Sequence, residues 1–143
     1  MKYTLDNEEM VDDFFDQMYC LGIVSPAKPY HFCWMMNFFL GMDFRLCIDD
    51  HVEMKRLERS YRFNLYHYQS DESHLHYIYQ NQYDGGYLMP EFKHLDYIWL
   101  IKMEEYQTDF LTDLMESLKT MDQIQLVVQI PEEQIKNPSN LII

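Results

Sequence analysis

The stretch "SYRFNLYHYQSDESHLHYIYQNQ", residues 60–82, decides the fold class, because apolar and polar side chains alternate in it twice. The two alternating runs flank the turn-forming residues 69–73, and a period of two over several residues is typical of β-strands. We therefore predict a β-hairpin. Pairing Tyr68 with His74 gives the register that best separates an apolar face from a polar one.

The two faces of this hairpin are predicted to have different roles. Phe63, Leu65 and Tyr79 lie on the apolar face, which packs on the core. The opposite face is predicted to be open and polar, and its candidates for contact with a ligand are Arg62, Tyr66, Tyr68, His74 and His76. The alternative interpretation is a surface patch of tyrosine and histidine whose polar groups are already satisfied.

Further strands lie on both sides of the hairpin. Residues 42–48 alternate in polarity and indicate a half-buried strand, and residues 87–92 indicate a short strand that Pro90 either confines to an edge or breaks. Two apolar runs, residues 97–103 and 124–130, flank residues 104–120, whose apolar side chains recur at helical spacing. This order predicts a C-terminal β-α-β unit whose helix packs on one face of the sheet.

A pair of helices is predicted before the sheet. The first spans residues 6–22, begins at a capping Asp6 and ends at Gly22. Its apolar stripe is formed by Met10, Phe14, Met18 and Leu21. The second spans residues 30–40 and ends at Gly41. The chain of 143 residues is thus predicted to be a single α+β domain, with an N-terminal helical pair, a mostly antiparallel sheet of about four to six strands, and the C-terminal β-α-β unit.

The second helix is apolar on nearly every side, since its polar side chains are His31 and Asn37. Such a helix is buried on nearly every side, either within the domain or against a second copy of the chain. We therefore predict a homodimer, with Phe32, Met35 and Phe39 as candidates for the interaction face. A simple core helix is the alternative.

Composition limits the classes of partner. The 24 acidic residues outnumber the 11 basic ones, and the net charge of −13 disfavours nucleic acid and anionic membranes. The chain begins without the apolar core of a signal peptide and contains no apolar run long enough to span a bilayer. Three cysteines, an odd number among apolar neighbours, indicate reduced thiols. We expect an acidic, cytoplasmic protein.

Few residues suggest catalysis or metal binding. Residues 47–53, "CIDDHVE", bring together Asp49, Asp50, His51 and Glu53, which are metal-binding types, but their spacing matches no known site and an acidic turn is the simpler interpretation. A thiol–imidazole pair of Cys33 or Cys47 with His31 or His51 is conceivable but disfavoured, since activation needs an exposed thiol near positive charge. We predict no catalytic residue, no metal and no cofactor, while enzymatic activity stays open.

The segment Ile130, Pro131, Glu132 and Glu133 ends the last strand. Proline fits the first position of a helical turn, and the two acids complement the dipole of that turn. We predict a capped turn that points Ile135 back to the core. An acid–base role for the two glutamates is the alternative, although the sequence offers them no partner.

Three segments resemble a known family. They are "LGIVSPAKPYHFCWMMNFFLGMDFRL", which has a serine that caps the helix, "GYLMPEFKHLDYIWLIK" and "IPEEQIK". In this order they resemble the IPExxVD family of small, uncharacterised Bacteroidota proteins over essentially the whole chain. Where the family signature has Val-Asp, this chain has Ile135 and Lys136. The resemblance implies no activity, and no functional residue can be carried over.

Two hypotheses for the function follow. The first is a non-catalytic protein-interaction module that self-associates, with a further protein partner unknown. The alternative is a small-ligand or metal-binding domain, conceivably an enzyme, that uses the histidine and tyrosine face of the sheet.

Overall fold

A computed structural model describes residues 18–47, 52–56, 59–70, 74–103, 108–136 and 138–141. The helices in these ranges are α1 (Pro29–Leu40) and α2 (Thr108–Lys119), and short 3-10 turns span Pro90–Phe92, Glu132–Gln134 and Pro138–Leu141. The strands are β1 (Met18–Val24), β2 (Arg45–Leu46), β3 (Val52–Arg56), β4 (Arg59–Phe63), β5 (Leu65–Gln69), β6 (Leu75–Gln80), β7 (Gln82–Tyr83), β8 (Gly86–Tyr87), β9 (Tyr97–Lys102) and β10 (Leu126–Ile130).

The main sheet has six strands in the order β10-β1-β9-β6-β5-β2, and every neighbouring pair is antiparallel. The prediction of an α+β fold with a mostly antiparallel sheet is therefore confirmed. Strands β3 and β4 pair with each other in a separate hairpin, which the sequence did not predict. Strands β9 and β10 both run antiparallel to β1, which lies between them, and α2 connects them.

The prediction of a first helix over residues 6–22 is wrong at its end, because Met18 and Leu21 lie in strand β1. Residues 1–17 lie outside the described part of the chain. Strand β1 pairs with β9 and β10, and Leu21 and Ile23 are fully buried. A run that is apolar on both sides fits a central strand as well as a buried helix, so periodicity could not separate the two.

Gly22 allows close packing within β1 and does not end a helix. A Cβ atom on Gly22 would lie 2.4 Å from Cδ1 of Leu95 and 3.0 Å from Cδ1 of Ile130. A larger residue would therefore displace two buried side chains that cover this face of the sheet.

The predicted hairpin exists, but its register is shifted by two residues. Tyr68 pairs with His76, and Gln69 pairs with Leu75. The turn is centred one residue later than predicted, because the backbone N–H of Ser70 donates to the carbonyl of His74 and the Ser70 hydroxyl accepts from the His74 N–H. Residues 71–73 lie outside the described ranges. A shift of two preserves the face of each side chain while changing its neighbours.

Both faces of the sheet are covered, so the predicted open polar face is wrong. One face packs on α1 and α2 through buried side chains that include Ile23, Met36 and Trp99. The other packs on the segment 88–95 and the C-terminal turns through Leu65, Leu95 and others. The face that carries Tyr66 and His76 is the one that α1 and α2 cover, which the hairpin alone could not indicate.

Helix α1 confirms the predicted second helix. It begins after Lys28 with Pro29 at its first turn, and it ends at Gly41, whose φ of 67° is the left-handed conformation that glycine adopts without strain. The proposed serine cap is wrong, because Lys28 occupies the N-cap and Ser25 accepts from the N–H of Ala27 instead. Helix α2 buries Leu111, Leu114 and Leu118, as its spacing predicts.

Residues 42–48 form less strand than predicted. Only Arg45 and Leu46 pair with β5, Phe44 is buried and Leu46 is exposed, so the expected alternation fails. The reason is local, because the side chain of Asn37 exchanges two hydrogen bonds with the backbone of Phe44 and fixes the turn after α1. Ile48 lies outside the described residues.

The C-terminal segment forms the predicted turn. The strand β10 ends at Ile130, a 3-10 turn follows at Glu132–Gln134, and Ile135 is buried against the second face. The N–H of Ile135 donates to the carbonyl of Glu132 at 3.0 Å. Glu132 and Glu133 are exposed on this turn.

Candidate functional site

Strands β5 and β6 bring together four of the five residues predicted to contact a ligand. The ring centroids of Tyr68 and His76 lie 5.5 Å apart, and those of His74 and His76 lie 6.3 Å apart. Tyr66 is buried on the same face of β5. Arg62 is not part of this cluster, because it lies exposed in β4, where it pairs with Glu53 of the separate hairpin.

Aromatic side chains from three other elements close this cluster. Phe44 lies 6.0 Å from His76, and Phe110 of α2 lies 4.7 Å from His74, measured between ring centroids. Nε1 of Trp99 donates a hydrogen bond to Nδ1 of His76 at 3.0 Å. This bond places the proton of neutral His76 on Nε2.

The burial of the cluster determines its chemistry. His74 is 4% exposed and His76 is 1% exposed. Burial, and then the proximity of His74, lower the pKa of His76 to about 3, so this imidazole is neutral near neutral pH. Burial, and then the neighbouring Cys33, raise the pKa of Tyr66 to about 12. His74 and His76 are therefore part of the core beneath α2, and a ligand in solvent does not reach them.

Metal ligation finds no support in the described residues. Among them, no three histidine, cysteine, aspartate or glutamate side chains come close enough to hold an ion. Of the predicted acidic turn, Asp49, Asp50 and His51 and the side chain of Glu53 lie outside the described part of the chain.

The surface of α1 carries four large aromatic side chains that are more than half exposed. They are Tyr30 (69%), Trp34 (53%), Phe38 (67%) and Phe39 (59%), and we call them the aromatic face. Trp34 stacks on Phe38 with ring centroids 5.1 Å apart, and Phe38 meets Phe39 edge to face at 5.0 Å. His31 extends the stack on the other side of Trp34, at 5.7 Å.

Of the three residues predicted for an interaction face, only Phe39 is on the surface. Phe32 and Met35 are buried in the core of the chain itself. The sequence missed Tyr30, Trp34 and Phe38, which lie one helical turn apart and form one row on α1. Because every side of this helix is apolar, its pattern gave no signal for which side faces the sheet.

A groove of about 680 Å³ runs beside the aromatic face. Trp34 and Phe39 form one wall, and Met121 and Asp122, from the turn after α2, form part of the other. The volume lies within the range of small-molecule sites, about 300 to 1,000 Å³.

The cysteines differ in their surroundings. Sγ of half-buried Cys47 lies 3.0 Å from Nδ1 of exposed His67. Burial raises the pKa of Cys20 to about 12 and also raises that of Cys33 well above its ordinary value, so these two thiols stay protonated. The contact between Cys47 and His67 is a pair that the sequence did not predict, and His51 lies outside the described part of the chain.

Comparison with protein-family models and with curated proteins gives no match to this chain. Neither α1 nor α2, the helices that the structure describes, is long and apolar enough to cross a lipid bilayer. The geometry of the described surface is therefore the basis for a functional proposal.

Proposed function

We propose that this chain is a non-catalytic, cytoplasmic protein-interaction module that forms a homodimer through the aromatic face of α1. The observation that carries the proposal is the contiguous exposure of Tyr30, Trp34, Phe38 and Phe39. Contiguous apolar patches on a soluble domain mark interaction sites, whereas single exposed apolar residues are ordinary. The free thiols of Cys20 and Cys33 suit a reducing compartment.

The size of the aromatic face fits a small dimer interface. Aromatic side chains bury roughly 150 to 250 Å² each on association or folding. At the observed exposures the four side chains offer roughly 500 Å² per chain. Two copies would bury about 1,000 Å², which is near the lower limit for a specific interface.

The absence of charge on α1 favours a second copy as the occupant. Residues 29–40 contain no acidic or basic side chain other than His31, whereas the whole chain carries −13. Two copies of this acidic chain repel one another in most relative orientations because both are negatively charged. A dimer whose two-fold axis passes beside α1 instead brings two uncharged surfaces together. The row formed by Tyr30, Trp34 and Phe38 follows the i, i+4 spacing along which helices interdigitate.

Charged substitutions in the aromatic face test this proposal. Trp34→Glu and Phe39→Glu are expected to weaken dimerisation by about 2 to 4 kcal/mol each, because each places a charge in a desolvated apolar contact. Sedimentation equilibrium over a range of concentrations measures the dissociation constant. Circular dichroism should show that both variants remain folded, since Trp34 and Phe39 are exposed in the single chain.

Tyr83→Glu is the matched control, because Tyr83 is an aromatic residue of β7 that is 43% exposed outside α1. It is expected to leave the dimer unchanged. A monomeric wild-type protein, or dimers that persist in both α1 variants, would contradict the proposal.

A second candidate function is the binding of a small apolar ligand in the groove between α1 and the turn after α2. The specific observation is the volume of about 680 Å³ with aromatic and methionine walls. This candidate replaces the predicted histidine and tyrosine face, which is buried. A native mass spectrum separates the two functions, since a dimer without added mass supports the first and a monomer with a bound molecule supports the second.

We also propose that the chain belongs to the IPExxVD family. In support, two of the resembling segments contact each other, because the backbone N–H of Lys136 donates to Oε2 of Glu91 at 2.7 Å. Nδ2 of Asn140 also donates to the carbonyl of Leu88, at 2.8 Å. The contact at Lys136 uses its backbone, so a change of side chain from aspartate to lysine leaves this hydrogen bond possible.

A further inference from the structure

The edge of the sheet at β2 and β5 carries a chemically distinctive pair. We propose that Cys47 and His67 form a reactive thiol–imidazole site that is oxidised by small hydroperoxides. Cys47 directly follows β2 and His67 lies on β5, and Cys47 packs on the sheet face opposite α1, so this site would exist whether or not the chain dimerises.

Backbone pairing brings the two side chains together. Arg45 is the cross-strand partner of His67, and the N–H of Cys47 donates to the carbonyl of Leu65 at 2.8 Å. This bond extends the β2–β5 ladder by one residue and sets Cys47 diagonally opposite His67. Diagonal neighbours on the same face of a sheet are close enough for their side chains to touch. The resulting Sγ–Nδ1 distance of 3.0 Å is short enough for direct proton transfer.

Access distinguishes Cys47 from the other two cysteines. Cys20 is 5% exposed and Cys33 is 3% exposed, and burial disfavours the thiolate form of both. Cys47 is half-buried at a sheet edge, and the imidazole beside it is exposed. Reactive thiols are partly exposed and lie beside a base or a positive charge, and Cys47 meets both conditions.

Two charged side chains lie near the pair. Arg45 is across from His67 on the neighbouring strand, and its guanidinium pairs with Asp43 at 3.0 Å. Tyr77, the partner of His67 on β6, stays neutral because burial, and then the charge of Cys47, raise its pKa.

The reaction balances without a cofactor. The thiol proton moves from Sγ of Cys47 to Nδ1 of His67, which leaves a thiolate. The thiolate attacks one oxygen of the hydroperoxide, a sulfur–oxygen bond forms and the oxygen–oxygen bond breaks. Sulfur is oxidised to a sulfenic acid, and the departing hydroxide or alkoxide takes the proton from His67 as water or an alcohol.

Alkylation by iodoacetamide measures the reactivity of the thiol. In the folded protein Cys47 is expected to react while Cys20 and Cys33 do not, and Cys47→Ser identifies the modified residue by peptide mass. His67→Gln is expected to slow the reaction about tenfold near neutral pH, because the thiol loses the base that accepts its proton. His94→Gln, which changes an exposed histidine elsewhere, should leave the rate unchanged.

Hydrogen peroxide tests the oxidation itself. The expected product is a sulfenic acid at Cys47 that dimedone traps, in lower yield in His67→Gln and absent in Cys47→Ser. Equal rates of alkylation in the wild-type protein and His67→Gln would overturn the proposal. It would also be overturned if dimedone failed to label Cys47, or labelled Cys20 or Cys33 in its place.

Discussion

Replacing Asn81 by leucine is expected to lower the free energy of unfolding by about 4 kcal/mol, and Tm by roughly 10 °C. Asn81 is fully buried, and its side chain makes three hydrogen bonds to the backbone of the segment 88–95. Nδ2 donates to the carbonyls of Phe92 and Leu95, and Oδ1 accepts from the N–H of Met89. Leucine would fill the space but leave the carbonyl of Leu95 and the N–H of Met89 without these partners, at about 1 to 3 kcal/mol each, while the Phe92 carbonyl keeps the N–H of Leu95.

Two variants separate this network from a general loss of packing. Asn140→Ala removes one hydrogen bond at a half-buried site and should cost only about 1 kcal/mol. Asn81→Asp keeps the acceptor but removes both donors and buries a charge, so it should destabilise at least as much as leucine. Chemical denaturation gives the energies, and hydrogen exchange at the amide of Met89 should become fast. Equal stability losses for Asn81→Leu and Asn140→Ala would contradict this role.

The parts of the fold that could be predicted are those whose side-chain pattern has one solution. Alternation around residues 69–73 leaves little choice but a hairpin, and a shift of two residues preserves its faces. Pro29 and Gly41 likewise mark the start and the end of α1. In each case local preference and burial agree.

The sequence misled where a segment is buried on both sides. The side chains of residues 18–24 form an apolar run that fits the period of a helix as well as that of a strand. Only the pairing with β9 and β10 makes this segment a strand. The same ambiguity hid the orientation of α1, whose buried Phe32 and exposed Trp34 differ little in type. What decides both cases is the position of other elements, which a local pattern does not contain.

The candidate sites depend even more on distant pairing. Cys47 and His67 are separated by 20 residues and meet only through the short β2–β5 ladder. For His74 and His76 the sequence placed both side chains on one face of the sheet, but it predicted that this face was open. Helices α1 and α2 cover that face, so residues predicted to contact a ligand are part of the core.

Acidification from about pH 7 to about pH 5 is expected to reduce the stability of the wild-type protein by about 2 kcal/mol more than that of His76→Gln. The pKa of His76 is about 3 in the folded protein, against an ordinary value of 6.5. The unfolded chain therefore binds this proton more readily, so the contribution is complete above pH 6.5 and is lost as the pH falls toward 3. Each pH unit inside that window is worth about 1.4 kcal/mol.

Glutamine suits this test because its side-chain oxygen can still accept from Trp99 while the side chain does not titrate. The absolute stability of His76→Gln is not the criterion, since packing changes too. The criterion is the difference between wild type and variant in urea unfolding at each pH. His94→Gln, at an exposed position, should keep the wild-type slope. A difference between wild type and His76→Gln that stays constant from about pH 7 to about pH 5 would show that the fold tolerates a proton on His76, and that the cluster under α2 is open to water.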